Sequence, residues 1–299
     1  MSDTDHPEPV GDTDILLRRG LTPHRVALED YVAYQWESTG DVLGQRHAEK
    51  RDAVTLRWLG DAVRAAGDSA RVLDVGCSYG NHLFMLNAVL GKPQDVEMVG
   101  VDLFETAVHR ANVFAVAIPG FSNCRFQTAD VAAGLPFEDD TFDAINLADV
   151  LEHIVDPGGA FRELRRVAKP GATIVISTPL RDSVFKRLAT VANRTLRGRL
   201  YRSYYKGKNT ELDEGGRPIM ETSAGHDHVS EMTLPELTTL CERAGLAVDE
   251  VELMSVMSGS RWFDRHGVLL AGILLLETAH EKLQRPSWAH SAMLRLRKV

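Results

Sequence analysis

The order of apolar and polar positions changes character near residue 70. Before it, Val54, Leu56, Trp58, Leu59 and Val63 make a rough helical stripe within 44–66, with Glu49 and Lys50 as solvated charge and Gly67 as the stop. A second helix is expected over 24–39. After it, short β-branched runs alternate with helical segments. Strands are expected at 71–76, 97–102, 124–128, 142–147 and 172–177, with Lys169-Pro170-Gly171 as the turn before the last. Helices are expected at 81–90, 105–117 and from the fourth strand to Ala168. This alternation predicts βαβ units and an α/β fold with a parallel sheet. Residues 181–230 break the rhythm. It resumes with a helix at 234–244, closed by Gly245, and a strand around 248–253. A mostly helical stretch over 261–285 and a closing strand at 293–298 complete the pattern.

The candidate chemistry sits where strands end. Gly76-Cys77-Ser78-Tyr79-Gly80 follows one strand and opens a helix, the setting that gives a glycine turn meaning. Gly76 permits a tight turn, Gly80 a close approach by a ligand, and the helix N–H groups face that ligand. The spacing is not the Gly-x-Gly-x-x-Gly of dinucleotide binding. Asp102 ends the second strand, 26 residues after Gly76, where an acid accepts hydrogen bonds from ribose hydroxyls. Asp130 ends the third and suits an adenine amine. No Lys accompanies the glycines, which argues against a phosphate-gripping loop. The pocket suits an adenosine without a pyrophosphate.

These stretches resemble the class I S-adenosylmethionine-dependent methyltransferases. The likeness runs through Val72-Leu-Asp-Val-Gly-Cys-Ser-Tyr-Gly80, Val99-Gly-Val-Asp102, Ala129-Asp130 and Leu135-Pro-Phe-Glu-Asp-Asp-Thr-Phe-Asp143. It continues through Asp149-Val-Leu-Glu-His-Ile-Val-Asp-Pro157 and Leu164-Arg-Arg-Val-Ala-Lys-Pro-Gly171, and again over 228–254. Ser78 departs from it, since the family usually has a glycine there. The resemblance implies a Rossmann-like, mostly parallel seven-stranded sheet in the order 3-2-1-4-5-7-6. The seventh strand is antiparallel, helices cover both faces, N-terminal helices form a lid, and a helical insertion follows strand 5. It implies S-adenosyl-L-methionine as cofactor. The turn Gly76, Cys77, Ser78 and Gly80 would lie along its amino-acid portion, with Asp74 near the ammonium. Asp102 would take the ribose, Leu103 would pack on adenine, Asp130 and the Val131 amide would meet the adenine edge, and Ala148 and Asp149 would open onto the sulfonium.

The reacting groups are less constrained. His153 and His228 are the candidate general bases. Tyr34, Trp36, Arg46, His226 and Arg197 are candidate acceptor contacts. A metal site is not expected: Glu152 with His226 and His228 is a weak metal pattern. Cys77 reads as a packing residue, without a base to activate it.

Composition then adjusts the picture. The chain has 299 residues, 44% hydrophobic and 25% charged, with a net charge of −8. Those values fit a globular protein. Residues 181–208 alone carry +8, which leaves −16 on the other 271. A basic amphipathic arm on an acidic body argues against coating nucleic acid, but it suits a phosphorylated, carboxylated or lipid-linked acceptor, or an anionic membrane surface. Three dispersed cysteines predict no disulfide framework. The acidic N-terminus predicts no signal peptide, and a cytoplasmic protein, with peripheral contact at the inner membrane face left open, is expected.

The expected division is a leader at 1–14, lid helices at 15–67, a cofactor-binding core at 68–180, a basic acceptor-recognition insertion at 181–230, and the rest of the core at 231–299. The expected activity is methyl transfer to a small-molecule or glycan acceptor, on oxygen. Two alternatives stay open: an RNA or protein methyltransferase that docks its target through the basic insertion, and a non-catalytic binding module.

Overall fold

The computed structural model describes residues 41–91, 93–117, 119–195, 228–257 and 261–299. Tyr34, Trp36, Arg197 and His226 lie outside them, as do the expected leader, the 24–39 helix and most of the basic insertion.

Helix α1 (Val42–Ala66) begins at Asp41, whose carboxylate accepts the Gly44 N–H, and ends at Gly67 in a positive-φ conformation. Then β1 (Arg71–Val75), α2 (Asn81–Val89), β2 (Glu97–Asp102), α3 (Glu105–Ala117) and β3 (Cys124–Thr128) follow. Next come β4 (Phe142–Ala148), a short turn of helix at Leu151–His153, α4 (Pro157–Val167), β5 (Ala168–Pro179) and α5 (Val184–Thr195). The chain closes with α6 (Leu234–Arg243), β6 (Leu246–Leu253), α7 (Arg261–Asp264), α8 (Gly267–Leu283) and β7 (Ser291–Lys298).

The strands form one sheet in the order β3-β2-β1-β4-β5-β7-β6. β7 runs antiparallel to both β5 and β6, and the other pairs are parallel. Strand side chains alternate between two faces. Leu73, Ile145, Ile174 and Ile176 pack under Phe161 and Leu164 of α4 and Leu237 of α6. Val72, Met98, Ala144 and Val175 pack under Trp58 and Leu59 of α1, Phe84 of α2 and Ala111 of α3. Both faces are covered, which is why the central strands are almost continuously apolar.

Two local expectations change. Lys169–Gly171 belongs to β5, whose register against β4 shifts between Phe142 and Ala144. The expected 261–285 helix breaks after Asp264, and α8 restarts behind His266. The break lets Phe263 turn inward to meet Ile273, Val256 and Leu43.

Candidate functional site

The carboxyl edge of the sheet collects the candidate cofactor residues, as the parallel topology requires. At the end of β1 the chain turns through Gly76 at φ +73, and the Gly76 and Cys77 N–H groups both donate to the Val101 carbonyl. A Cβ on Gly76 would lie 2.2 Å from Val150 Cγ2. A Cβ on Gly80, at φ +84, would meet the Phe126 ring at 2.5 Å. Both glycines are therefore required by packing and backbone, and the need at Gly80 comes from a neighbouring ring. Ser78 adopts φ +48, the left-handed region a glycine would favour. Cys77 is buried, and burial pushes its thiol pKa up, so it is no thiolate nucleophile.

Asp102 ties the turn to the second strand. One of its carboxylate oxygens accepts the Ser78 N–H at 2.8 Å and the other accepts the Phe104 N–H at 2.9 Å. Each oxygen keeps a further lone pair for a hydroxyl. Beside it Leu103 and Phe104 are 59% and 45% exposed, an apolar surface open to a flat ring. β3 ends at Thr128, so Asp130 stands in the loop beyond it, where its side chain accepts the Ala132 N–H. Val131 is buried against the core.

Asp74 is fully buried. Its Oδ1 accepts from Asn146 Nδ2 at 2.7 Å, while its Oδ2 accepts no hydrogen bond. Burial raises its pKa, with His82 and Asn146 opposing. His82 Nδ1 lies 3.9 Å from that Oδ2, and its Nε2 is 3.2 Å from Asp52. Asp52 accepts from Arg51, and Arg51 Nη1 reaches Asp149 Oδ2 at 2.5 Å. Asp149 Oδ1 accepts from Ser177 at 2.6 Å. A continuous polar chain thus runs from Asp74 to Asp149 above β1, β4 and β5. Burial alone would lift the Asp149 pKa, but Arg51 and Ser177 outweigh it and hold the carboxyl below its ordinary range. Asp149 is itself at φ +54, strain that the pairing on both its oxygens sustains.

The residues expected on the acceptor side that the structure describes, His153 and His228, lie past β4. Ala148 ends that strand, half-buried. Glu152, 2% exposed, accepts from Thr178 Oγ at 3.1 Å. Its backbone carbonyl accepts the N–H groups of Val229 and Ser230, which anchors the segment carrying His228. His228 Nδ1 sits 2.7 Å from Glu231, which also takes Lys186 at 3.0 Å. The His153 and His228 rings meet edge to face at 5.2 Å. Burial raises the Glu152 pKa, with Asp149 adding to it. The Glu231 hydrogen bond raises that of His228. Glu152, His153 and His228 each offer a ligand atom, all within 4.8 Å of one another, so the group could hold a metal ion.

Arg46 lies elsewhere. It faces α8, 3.7 Å from Glu281, in a small cleft shared with His47, Lys50 and Ser255. The residues that sequence reasoning missed are Arg51, Asp52, His82, Asn146 and Ser177. A faint signal existed: Asp52 and Thr55 fall on the apolar side of α1 and are buried there.

A family model described as a methyltransferase domain matches residues 44–251. The chain is 34% identical over 140 residues to a ubiquinone/menaquinone biosynthesis C-methyltransferase of Geobacter sulfurreducens, covering 45% of this chain and 53% of that protein. It is 34% identical over 131 residues to the chloroplastic tocopherol O-methyltransferase of Arabidopsis thaliana, covering 41% and 36%. It is 31% identical over 172 residues to a ubiquinone biosynthesis O-methyltransferase of Xanthomonas campestris, covering 56% and 66%. The chain thus spans between 36% and 66% of the length of these relatives. Among solved structures, a geranyl diphosphate methyltransferase aligns with a TM-score of 0.53 at 16% identity, covering 83% of this chain and 79% of that one. A (4+2)-cyclase, SpnF, aligns with a TM-score of 0.51 at 19% identity, covering 83% and 80%. A cyclase on this architecture illustrates that the fold alone does not name the reaction.

Proposed function

The chain belongs to the methyltransferase-domain family, and from that premise we propose that it transfers a methyl group from S-adenosylmethionine to an oxygen of a small-molecule acceptor. The observation that carries this reading is the buried Asp74 Oδ2, which accepts no hydrogen bond at the very edge where the glycine turn opens. A buried acceptor without a partner is costly, and a cofactor ammonium would satisfy it. Asp102 would hold the ribose hydroxyls, Leu103 and Phe104 would cover the adenine, and Asp130 with Val131 would bind its edge. Ala148 and Asp149 would border the reacting end. The cofactor supplies a methyl group already activated by a positive sulfur.

What remains for the protein is to orient the acceptor in line, exclude water and accept its proton. Orientation can supply about 7–11 kcal/mol of barrier reduction. His228, steadied through Nδ1 by Glu231, would accept the hydroxyl proton at its other ring nitrogen, with His153 and Glu152 beside it. The names of the tocopherol and ubiquinone O-methyltransferases support an oxygen acceptor on a lipid-soluble ring, while the C-methyltransferase keeps carbon as the competing outcome. The basic residues of 181–208 would meet an anionic group or membrane surface around that acceptor. A glycan has no comparable support.

A second reading has an observation of its own. A divalent cation held by Glu152, His153 and His228 would polarise an acceptor hydroxyl and lower its pKa. Chelation followed by restoration with magnesium or zinc separates the two readings.

The test is calorimetry with S-adenosylmethionine, followed by mass spectrometry of hydroxylated prenyl-aromatic compounds incubated with both. Binding by the wild type and an affinity drop of about 100-fold in Asp102→Ala are expected, since a charge-assisted hydrogen bond contributes ~1.5–3 kcal/mol. Undiminished binding in that variant would refute the cofactor site.

A further inference from the structure

The outer face of α8 is apolar and open. Val268, Leu275 and Leu283 are 92%, 72% and 54% exposed, and Leu269 and Leu276 are exposed beside them. At about 100° per residue these five side chains fall within an arc of roughly 120°, shared only with Gly272 and Ala279. No charged residue lies inside that arc. The inner face is different. There Leu270, Ile273 and Leu274 pack on Leu43 and Val256. The two acids of the helix lie on this inner side: Glu277 is buried and accepts the Val256 N–H, and Glu281 faces Arg46. Exposed cations flank the stripe, Arg265 before the helix and Lys282 and Arg285 at its end.

We propose that α8 docks the protein on an anionic membrane surface, with the helix in the interface plane, its apolar arc among the acyl chains and its cationic ends at headgroup level. An apolar stripe with basic ends, whose helix keeps one acid buried and pairs the other, the exposed Glu281, with Arg46 away from the stripe, is the charge pattern such a surface complements. The helix has 17 residues, and no helix of the described residues is long and apolar enough to cross a membrane, so it lies on the bilayer and does not span it. A second copy of the chain fits less well. Pairing two α8 helices in parallel or antiparallel would bring cationic end against cationic end, whereas anionic headgroups meet both ends favourably. α5 joins the same cluster, its Phe185 ring 6.4 Å from Trp288. Its Leu188 and Val191 are 58% and 61% exposed, near the exposed Arg187 and Arg194. The inference stands on residues outside the methyl-transfer site and does not depend on that reaction.

The experiment is cosedimentation of the full chain with vesicles of phosphatidylcholine alone or mixed with phosphatidylglycerol. Wild type should bind the mixed vesicles and lose them as salt rises. Val268→Glu/Leu275→Glu should lower binding by about tenfold or more, and Lys282→Glu/Arg285→Glu should remove the preference for anionic lipid. All four positions are exposed, so an unchanged circular dichroism spectrum and unchanged cofactor affinity in free solution should accompany the loss. Failure to bind vesicles overturns the proposal, as does equal binding by the apolar variant. A dimer in analytical ultracentrifugation that Val268→Glu/Leu275→Glu dissociates, without vesicle binding, would make this face a subunit interface and overturn it too. None of these outcomes alters the calorimetric test of the cofactor site.

Discussion

Arg51, on α1, and Asp149, at the end of β4, are joined by a 2.5 Å contact across 98 residues of sequence. It links α1 to the end of β4 at the carboxyl edge of the sheet. Arg51 keeps 22% of its side chain exposed and Asp149 34%, so water screens the pair in part. Loss of one partner from a wholly buried pair costs ~3–5 kcal/mol. Arg51→Met should therefore destabilise the fold by about 2 kcal/mol, read from urea denaturation, and should weaken cofactor binding as Asp149 relaxes from its left-handed conformation. A stability change within about 0.5 kcal/mol would mean that Asp149 is positioned by Ser177 alone.

The next link of the same chain makes stability depend on pH. Burial would lower the His82 pKa, but the Asp52 hydrogen bond and the Asp74 charge outweigh it and raise it above 6.5. A group whose folded pKa lies above its unfolded value stabilises fully below the unfolded pKa. That contribution is lost as pH rises through the folded value. Denaturation midpoints should fall as pH climbs above 6.5, and His82→Gln should flatten this slope. An equally steep fall in the variant would assign the dependence to other groups.

Ser78 offers a test in the opposite direction. It holds φ +48 between Gly76 and Gly80, and its N–H is spent on Asp102. A serine in the left-handed region costs ~1–2 kcal/mol, while a glycine there adds ~0.4–1 kcal/mol of unfolded-state entropy. Ser78→Gly should therefore stabilise the protein by up to about 1.5 kcal/mol in thermal unfolding and leave cofactor affinity within about twofold. A large loss of affinity would show instead that the serine hydroxyl contacts the cofactor.

Much of this architecture is legible in the sequence because it depends on short-range patterns. The β-branched runs, the glycines that stop helices and the acids at strand ends specify the alternation of strands and helices and bring Asp102 and Asp130 to one edge, whereas the strand order and the place of Asp74 are implied by the resemblance to the methyltransferases. Long-range pairing is not written in such patterns. Arg51 and Asp52 are not among the residues the sequence pattern singles out, yet Asp52 is 4% exposed, because α1 lies over β4 and β5. Phe126 filling the Cβ space of Gly80 is equally invisible, since it needs the β2–β3 register. The break before α8 follows from the inward turn of Phe263, a tertiary preference that overrides an apparently continuous helical pattern.

In the proposed reaction, proton removal turns on His228. Its Nδ1 is engaged by Glu231, Lys186 pairs with that acid, and Glu152 stands nearby with its own pKa raised by burial. A positioned base contributes ~10²–10⁴-fold. His228→Asn should therefore lower kcat by that order with KM nearly unchanged, because the backbone anchors from Val229 and Ser230 to Glu152 survive the substitution. Glu231→Gln leaves the imidazole in place but removes the charge that raises its pKa, so the ascending limb of the pH–rate profile should move to lower pH. A kcat retained within about threefold in His228→Asn would pass the base role to Glu152 or His153. Methyl transfer to an acceptor whose hydroxyl is already ionised at the assay pH tells these cases apart from misplacement. It should be insensitive to His228→Asn if the histidine only removes the proton, and it should stay slow if the histidine orients the acceptor.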